Sequence, residues 1–176
     1  MPETHSEPAG YPTLSPAKLP RRLAAIVYDG LLLIGVLMVA SALAWGLVAM
    51  LLGSAAVALN NPLRGNPFFQ TYLLLVCFFF YGGFWVWGGQ TLGMRAWRLR
   101  ITRRDGRGIS WSQALLRFLT ASLWLMPFYL HPLFHVSVVT SVWIGLAVLL
   151  FLLALRAPDR VSETALVVLP RPRQAG

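Results

Sequence analysis

Asp29 is the residue whose chemistry most needs an explanation. The segment Arg22-Leu23-Ala24-Ala25-Ile26-Val27-Tyr28-Asp29 leads without a break into the apolar stretch 30–52. A helix begun near Arg22, rising ~1.5 Å per residue, carries Asp29 about 10 Å inward, roughly a third of the way across a ~30 Å hydrocarbon layer. An ionised carboxylate at the centre of such a layer costs on the order of 2.5–3.5 kcal/mol. The residue therefore requires either a partner or a use for its charge, and the chemistry a membrane carboxylate offers is binding of a proton or cation. At ~100° per residue, positions 22, 25 and 29 share one helix face, and that stripe should face protein rather than lipid.

The elements that position it follow from composition. The chain has 176 residues, 57% of them hydrophobic and only 12% charged. That is too apolar for one soluble core of this size, and it indicates an all-α, polytopic membrane protein. The net charge of +9 lies in short gaps between apolar runs, so membrane topology accounts for it and nucleic acid is not implied. The single cysteine, Cys77, sits in an apolar run, where packing is its ordinary role, and it excludes an internal disulfide.

Residues 1–20 hold five prolines and no apolar periodicity, so a disordered cytoplasmic tail is expected there. The domain then covers 21–169, with transmembrane helices at about 23–52, 68–87, 114–130 and 136–155, and a tail at 170–176. No turn signal interrupts the first run, so one long tilted helix is expected rather than a hairpin. Trp85 and Trp87 mark the exit of the second from the bilayer. Between helices two and three lies a basic connection with Arg95, Arg98, Arg100, Arg103, Arg104 and Arg107. Its alternating Arg98-Leu99-Arg100-Ile101-Thr102, followed by Asp105-Gly106, predicts a short hairpin. Ser110-Trp111-Ser112-Gln113 has the capping-box pattern, so a helix should start there. The third span is the one that Pro127 and Pro132 would also suit as a re-entrant segment. Lys and Arg number three at the amino end, one, six and none in the successive connections, four at the carboxy end, and one, Arg117, inside helix three. That alternation places both termini and the Arg-rich connection in the cytoplasm.

Four motifs in order resemble the RDD family of bacterial integral membrane proteins, named for one arginine and two aspartates, over residues 19–169. Arg22-x-x-Ala25-x-x-x-Asp29 is similar to the family's first-helix motif. Gly89-Gln90-Thr91-Leu92-Gly93-Met94, running into Arg95, resembles its Gly-x-Thr-Pro-Gly-Lys motif, with Leu92 and Met94 in place of proline and lysine. The stretch from Leu99 to Ser110, then Ala114 and Arg117, follows the family layout. Asp159 with Thr164 resembles the closing His-Asp-x-x-Ala-Gly-Thr motif, with Pro158 for the histidine and Glu163 for the glycine. The resemblance implies an inner-membrane fold and a part in moving small ions or solutes, and it names no ligand.

Side chains on a helix lean toward its amino end, so Arg22 points away from Asp29, and a partner from another segment is expected. Depth along the spans predicts the pairs Asp29–Arg117 and Arg22–Asp159. Such pairs could serve transport through Asp29 or simply pin a non-transporting assembly or scaffold subunit. The Arg-rich connection should meet anionic lipid headgroups, and small residues at Gly82, Gly83 and Gly145 permit self-association. His131 and His135 stand four apart without a nearby acid or cysteine, so no metal or cofactor is expected. No nucleophile elbow, phosphate loop or catalytic carboxylate pair is present, and Thr91, Ser110 and Ser112 have no base beside them. An enzyme is not expected.

Overall fold

The computed structural model describes residues 15–55, 61–103, 105–127 and 137–170. Helix α1 (Leu19–Leu52) is one continuous helix of 34 residues. Pro20 lies in its first turn, where the missing N–H would have had no partner, and Gly53 ends it with a positive φ of 86°. At ~1.5 Å per residue it is about 51 Å long, so it overhangs a ~30 Å hydrocarbon core or crosses it tilted. Its buried residues are Arg22, Ala25, Asp29 and Ala40, which is the expected stripe plus one small contact residue further along.

Helix α2 (Pro67–Gly83) begins where Asn66 accepts hydrogen bonds from the Phe68 and Phe69 N–H groups. It runs on through a π-helical turn, Phe84–Gly88, and stops at Gly89, which is left-handed. The Tyr72 hydroxyl donates to Ala40 O of α1 at 3.3 Å, fastening the two helices midway. Among the described residues, Leu19–Leu52 and Pro67–Gly88 are long and apolar enough to cross a membrane.

The next elements are shorter. After helix α3 (Leu92–Ala96) and strand β1 (Leu99–Arg103), helix α4 (Trp111–Ser122) starts at the Ser110/Gln113 capping box, as its sequence pattern predicts. It is 12 residues long and tightens into a 3-10 turn at Leu123–Leu125, ahead of Pro127. Residues 128–136, with His131 and His135, lie outside the described residues. Helix α5 (Val138–Ala154) follows, then the short helix α6 (Ala157–Val161) and strand β2 (Thr164–Val168).

Two expectations are corrected here. The basic connection does not fold into a hairpin on itself: β1 pairs antiparallel with β2, Leu99 opposite Val168 and Arg103 opposite Thr164. The turn does form, with the Gly106 N–H donating to Arg103 O at 3.1 Å, but the chain beyond it is committed to capping α4 and supplies no second strand. Leu99 and Ile101, almost wholly buried, instead find their apolar partners in the carboxy-terminal segment. The amino-terminal stretch is likewise ordered from Ser15 on. Pro16 bridges Val167, the Ala17 N–H donates to Leu166 O at 2.9 Å, and the Val168 N–H donates to Ser15 O at 3.0 Å. Proline is tolerated there because the stretch forms an edge. Residues 1–14 and 171–176, the remainder of the expected tails, lie outside the described residues.

The buried apolar core gathers where this small sheet meets the helix ends: Ala17, Ala25, Trp85, Met94, Leu99, Ile101, Ile109, Ala114, Phe118 and Leu166. Most of the long apolar side chains along α1 and α5 face outward, as helices in a lipid solvent allow.

Candidate functional site

Asp29 is 2% exposed, and both of its oxygens are occupied. The Thr91 hydroxyl donates to Oδ2 at 2.5 Å and the Gly93 N–H donates to Oδ1 at 2.8 Å. Thr91 also begins α3, accepting the Met94 N–H at 3.2 Å, so one hydroxyl caps a helix and holds the acid. Gly93 is required by the closeness of the fit: a Cβ there would stand 2.5 Å from Ala25 O and 2.8 Å from Asp29 Oδ1. Behind this contact, the Ile101 N–H donates to Gly89 O at 2.7 Å and the Gln90 side chain donates to Leu99 O at 2.7 Å, which bolts the loop to β1. Gly89 turns the chain there with φ 67°, in the left-handed region. Arg95, the remaining residue of the loop motif, is exposed in the last turn of α3 and stands outside this contact.

The expected pair Asp29–Arg117 does not form. Both oxygens of Asp29 are already taken by the loop, and Arg117 turns instead to Asp159. The pair Arg22–Asp159 is present: Arg22 Nη2 lies 2.7 Å from Oδ2. Arg117 Nη1 lies 2.5 Å from Oδ1 and also donates to the Thr164 hydroxyl at 2.9 Å. Arg22 Nε donates to Ala17 O at 3.1 Å. The three charged residues are 5%, 6% and 6% exposed (Arg22, Arg117, Asp159). Beside them the Trp85 ring centroid lies 5.6 Å from Arg117 Cζ. Trp85 is therefore not the interfacial residue expected of it; it is buried against a guanidinium, while Trp87 stays exposed.

Short-range geometry explains how the chain delivers Asp159. Arg156 is left-handed at the end of α5 and reverses the chain into α6, and Glu163, also left-handed at φ 54°, turns it into β2. Ser162 donates to Pro158 O at 2.5 Å and pairs with the Thr164 hydroxyl at 2.8 Å, which fixes Thr164 for Arg117.

The RDD family model matches residues 16–161. The chain belongs to the RDD family. No curated protein and no solved structure matches it. With that membership, the two long apolar helices mark a helical membrane protein. In this RDD protein the motif glycine that Glu163 replaces falls at a positive φ, the conformation glycine tolerates best. The histidine position, Pro158, starts a helix turn, where proline is well suited.

The spacing of the sequence singled out Thr91 and Gly93 without showing that they are the partners of Asp29. Trp85, Ser162 and Ala17 were missed. No sequence signal pointed from Trp85 to Arg117; its ring packs against that of Tyr81, one helical turn earlier, with centroids 5.4 Å apart. Among the described residues, no three of His, Cys, Asp and Glu come together as a metal site.

Proposed function

We propose that this RDD protein moves a small cation or proton across the bacterial inner membrane, with Asp29 as the group that binds it. The observation that carries this reading is the nature of Asp29's partners. Both are neutral donors, so a charge buried to 2% is hydrogen-bonded but has no ion-pair partner among the described residues. Such a carboxylate is relieved by taking up a proton or a cation, and the loop that holds it, packed over Ala25 and Asp29, is the element whose movement would admit one. In this reading α4 and α5 complete a four-span bundle. Both termini lie in the cytoplasm, with exposed Arg95, Arg98, Arg100 and Arg107 against anionic headgroups. No enzymatic step is involved.

A non-transporting assembly or scaffold subunit, alone or as a homo-oligomer, is the second reading. It is favoured by the Asp159 clamp, which ties α1, α4 and the carboxy-terminal segment into one unit. Purified protein in liposomes, loaded with a pH-sensitive dye and challenged with sodium, potassium or pH gradients, separates the two. Transport predicts flux that disappears in Asp29→Asn while the protein remains folded. Equal flux in both proteins, or none in either, removes the reading.

A further inference from the structure

The cluster around Asp159 has more positive charge and more donors than the protein satisfies. Two guanidinium groups share one carboxylate, which leaves a net charge of about +1 at residues that are almost wholly buried. Both guanidiniums meet the same carboxyl group, one on each oxygen. Arg22 uses Nε and Nη2, and Arg117 makes both of its contacts from Nη1. The Nη1 group of Arg22, and the Nε and Nη2 groups of Arg117, make no hydrogen bond among the described residues, and unlike the Trp85 indole nitrogen they are not fully enclosed.

An independent observation lies on the same spot. The Trp85 indole N–H is buried and has no hydrogen-bond partner among the described residues, and the Arg117 guanidinium lies over the face of its ring. A buried indole ordinarily finds an acceptor for its N–H. Thus surplus guanidinium donors and an orphaned indole donor occur together, next to excess positive charge.

We propose that Arg22, Arg117 and Trp85 form a binding site for a phosphate oxyanion, with Asp159 and Thr164 holding Arg117 in place. The planar guanidinium fork matches phosphate oxygens, and a neutral N–H donor adds direction without adding charge. Arg22 is in the first turn of a helix longer than the hydrocarbon core, and a span that begins near Arg22 sets it at the level of lipid phosphates. The oxyanion can therefore come from a lipid headgroup or from free phosphate. The site stands whether or not Asp29 carries an ion.

The test uses full-length protein, labelled with nitrogen-15 and purified in a maltoside detergent, which contains no phosphate. Its indole N–H signals are followed by NMR, and that of Trp85 is identified by its loss in Trp85→Phe, a change that keeps an aromatic ring against Tyr81 and Arg117. Inorganic phosphate and short-chain phosphatidylglycerol are titrated separately at constant ionic strength maintained with sodium chloride. A saturable shift of the Trp85 signal with either one supports the site and identifies the source. Calorimetry should then show binding weakened about tenfold in Trp85→Phe, as for loss of a hydrogen bond to a charged group. It should be unchanged in Arg64→Gln, an exposed position in the connection between α1 and α2. A Trp85 signal that moves with neither ligand overturns the proposal, as does equal weakening by Arg64→Gln.

Discussion

Two aspartates are buried in this protein, and they are held in opposite ways. Asp29 is met by a hydroxyl and a backbone N–H and, among the described residues, has no cation against it. Asp159 is gripped by two arginines, one on each oxygen. Equal burial therefore does not mean equal electrostatics. The first site keeps an excess of negative charge inside a membrane helix, and the second keeps an excess of positive charge where the helix ends meet the sheet. A carboxylate gripped by two guanidiniums is poorly placed to exchange its partner, whereas one held by neutral donors can take up a proton or cation without first breaking an ion pair. On the proposed function, the difference divides a structural role from an exchangeable one.

The largest expected effect comes from breaking the clamp. Asp159→Ala leaves two guanidiniums buried side by side and should cost about 3–5 kcal/mol, seen as loss of monodisperse, heat-stable protein in detergent. Gly93→Ala forces a Cβ into Ala25 O and Asp29 Oδ1. Overpacking of that kind should lower stability by about 1–3 kcal/mol in thermal unfolding. Thr91→Val keeps the side-chain shape but leaves Asp29 one donor short, with an expected loss of about 1–3 kcal/mol by the same measurement. Double-mutant cycles sharpen the comparison directly. Asp159 and Arg117 should be coupled by about 0.5–3 kcal/mol, whereas Asp29 and Arg117 should be additive to within about 0.5 kcal/mol. Coupling of Asp29 to Arg117 as strong as that of Asp159 would erase the distinction. The smallest effect is expected at the exposed Asp105–Arg107 contact, 3.8 Å long, where Asp105→Ala should change stability by less than about 1 kcal/mol.

Much of the architecture could be read from local signals. The long first helix followed from an uninterrupted apolar run, and the start of α4 from a capping box whose two halves are three residues apart in the chain. The buried face of α1 followed from the spacing of 22, 25 and 29, because a helix fixes its own angular period. Depth along the membrane normal gave one correct ion pair, Arg22–Asp159, and one that does not exist, Asp29–Arg117. The failure has a plain cause: depth constrains only one coordinate, and a side chain's partner depends on the other two. The sheet was misjudged for a related reason, since β1 and β2 are joined across more than sixty residues, and alternation in one strand carries no record of its partner.

What the residues determined alone is everything governed by near neighbours: the helical class, the two long apolar helices, the caps and the presence of an acid where lipid would be. What required the tertiary structure is how each charge is compensated. Thr91 and Gly93 reach Asp29 from more than sixty positions away, and Arg117 meets Asp159 from more than forty. Helix periodicity is set by the backbone within a turn, whereas electrostatic compensation is set by whichever donor packing brings within about 3 Å.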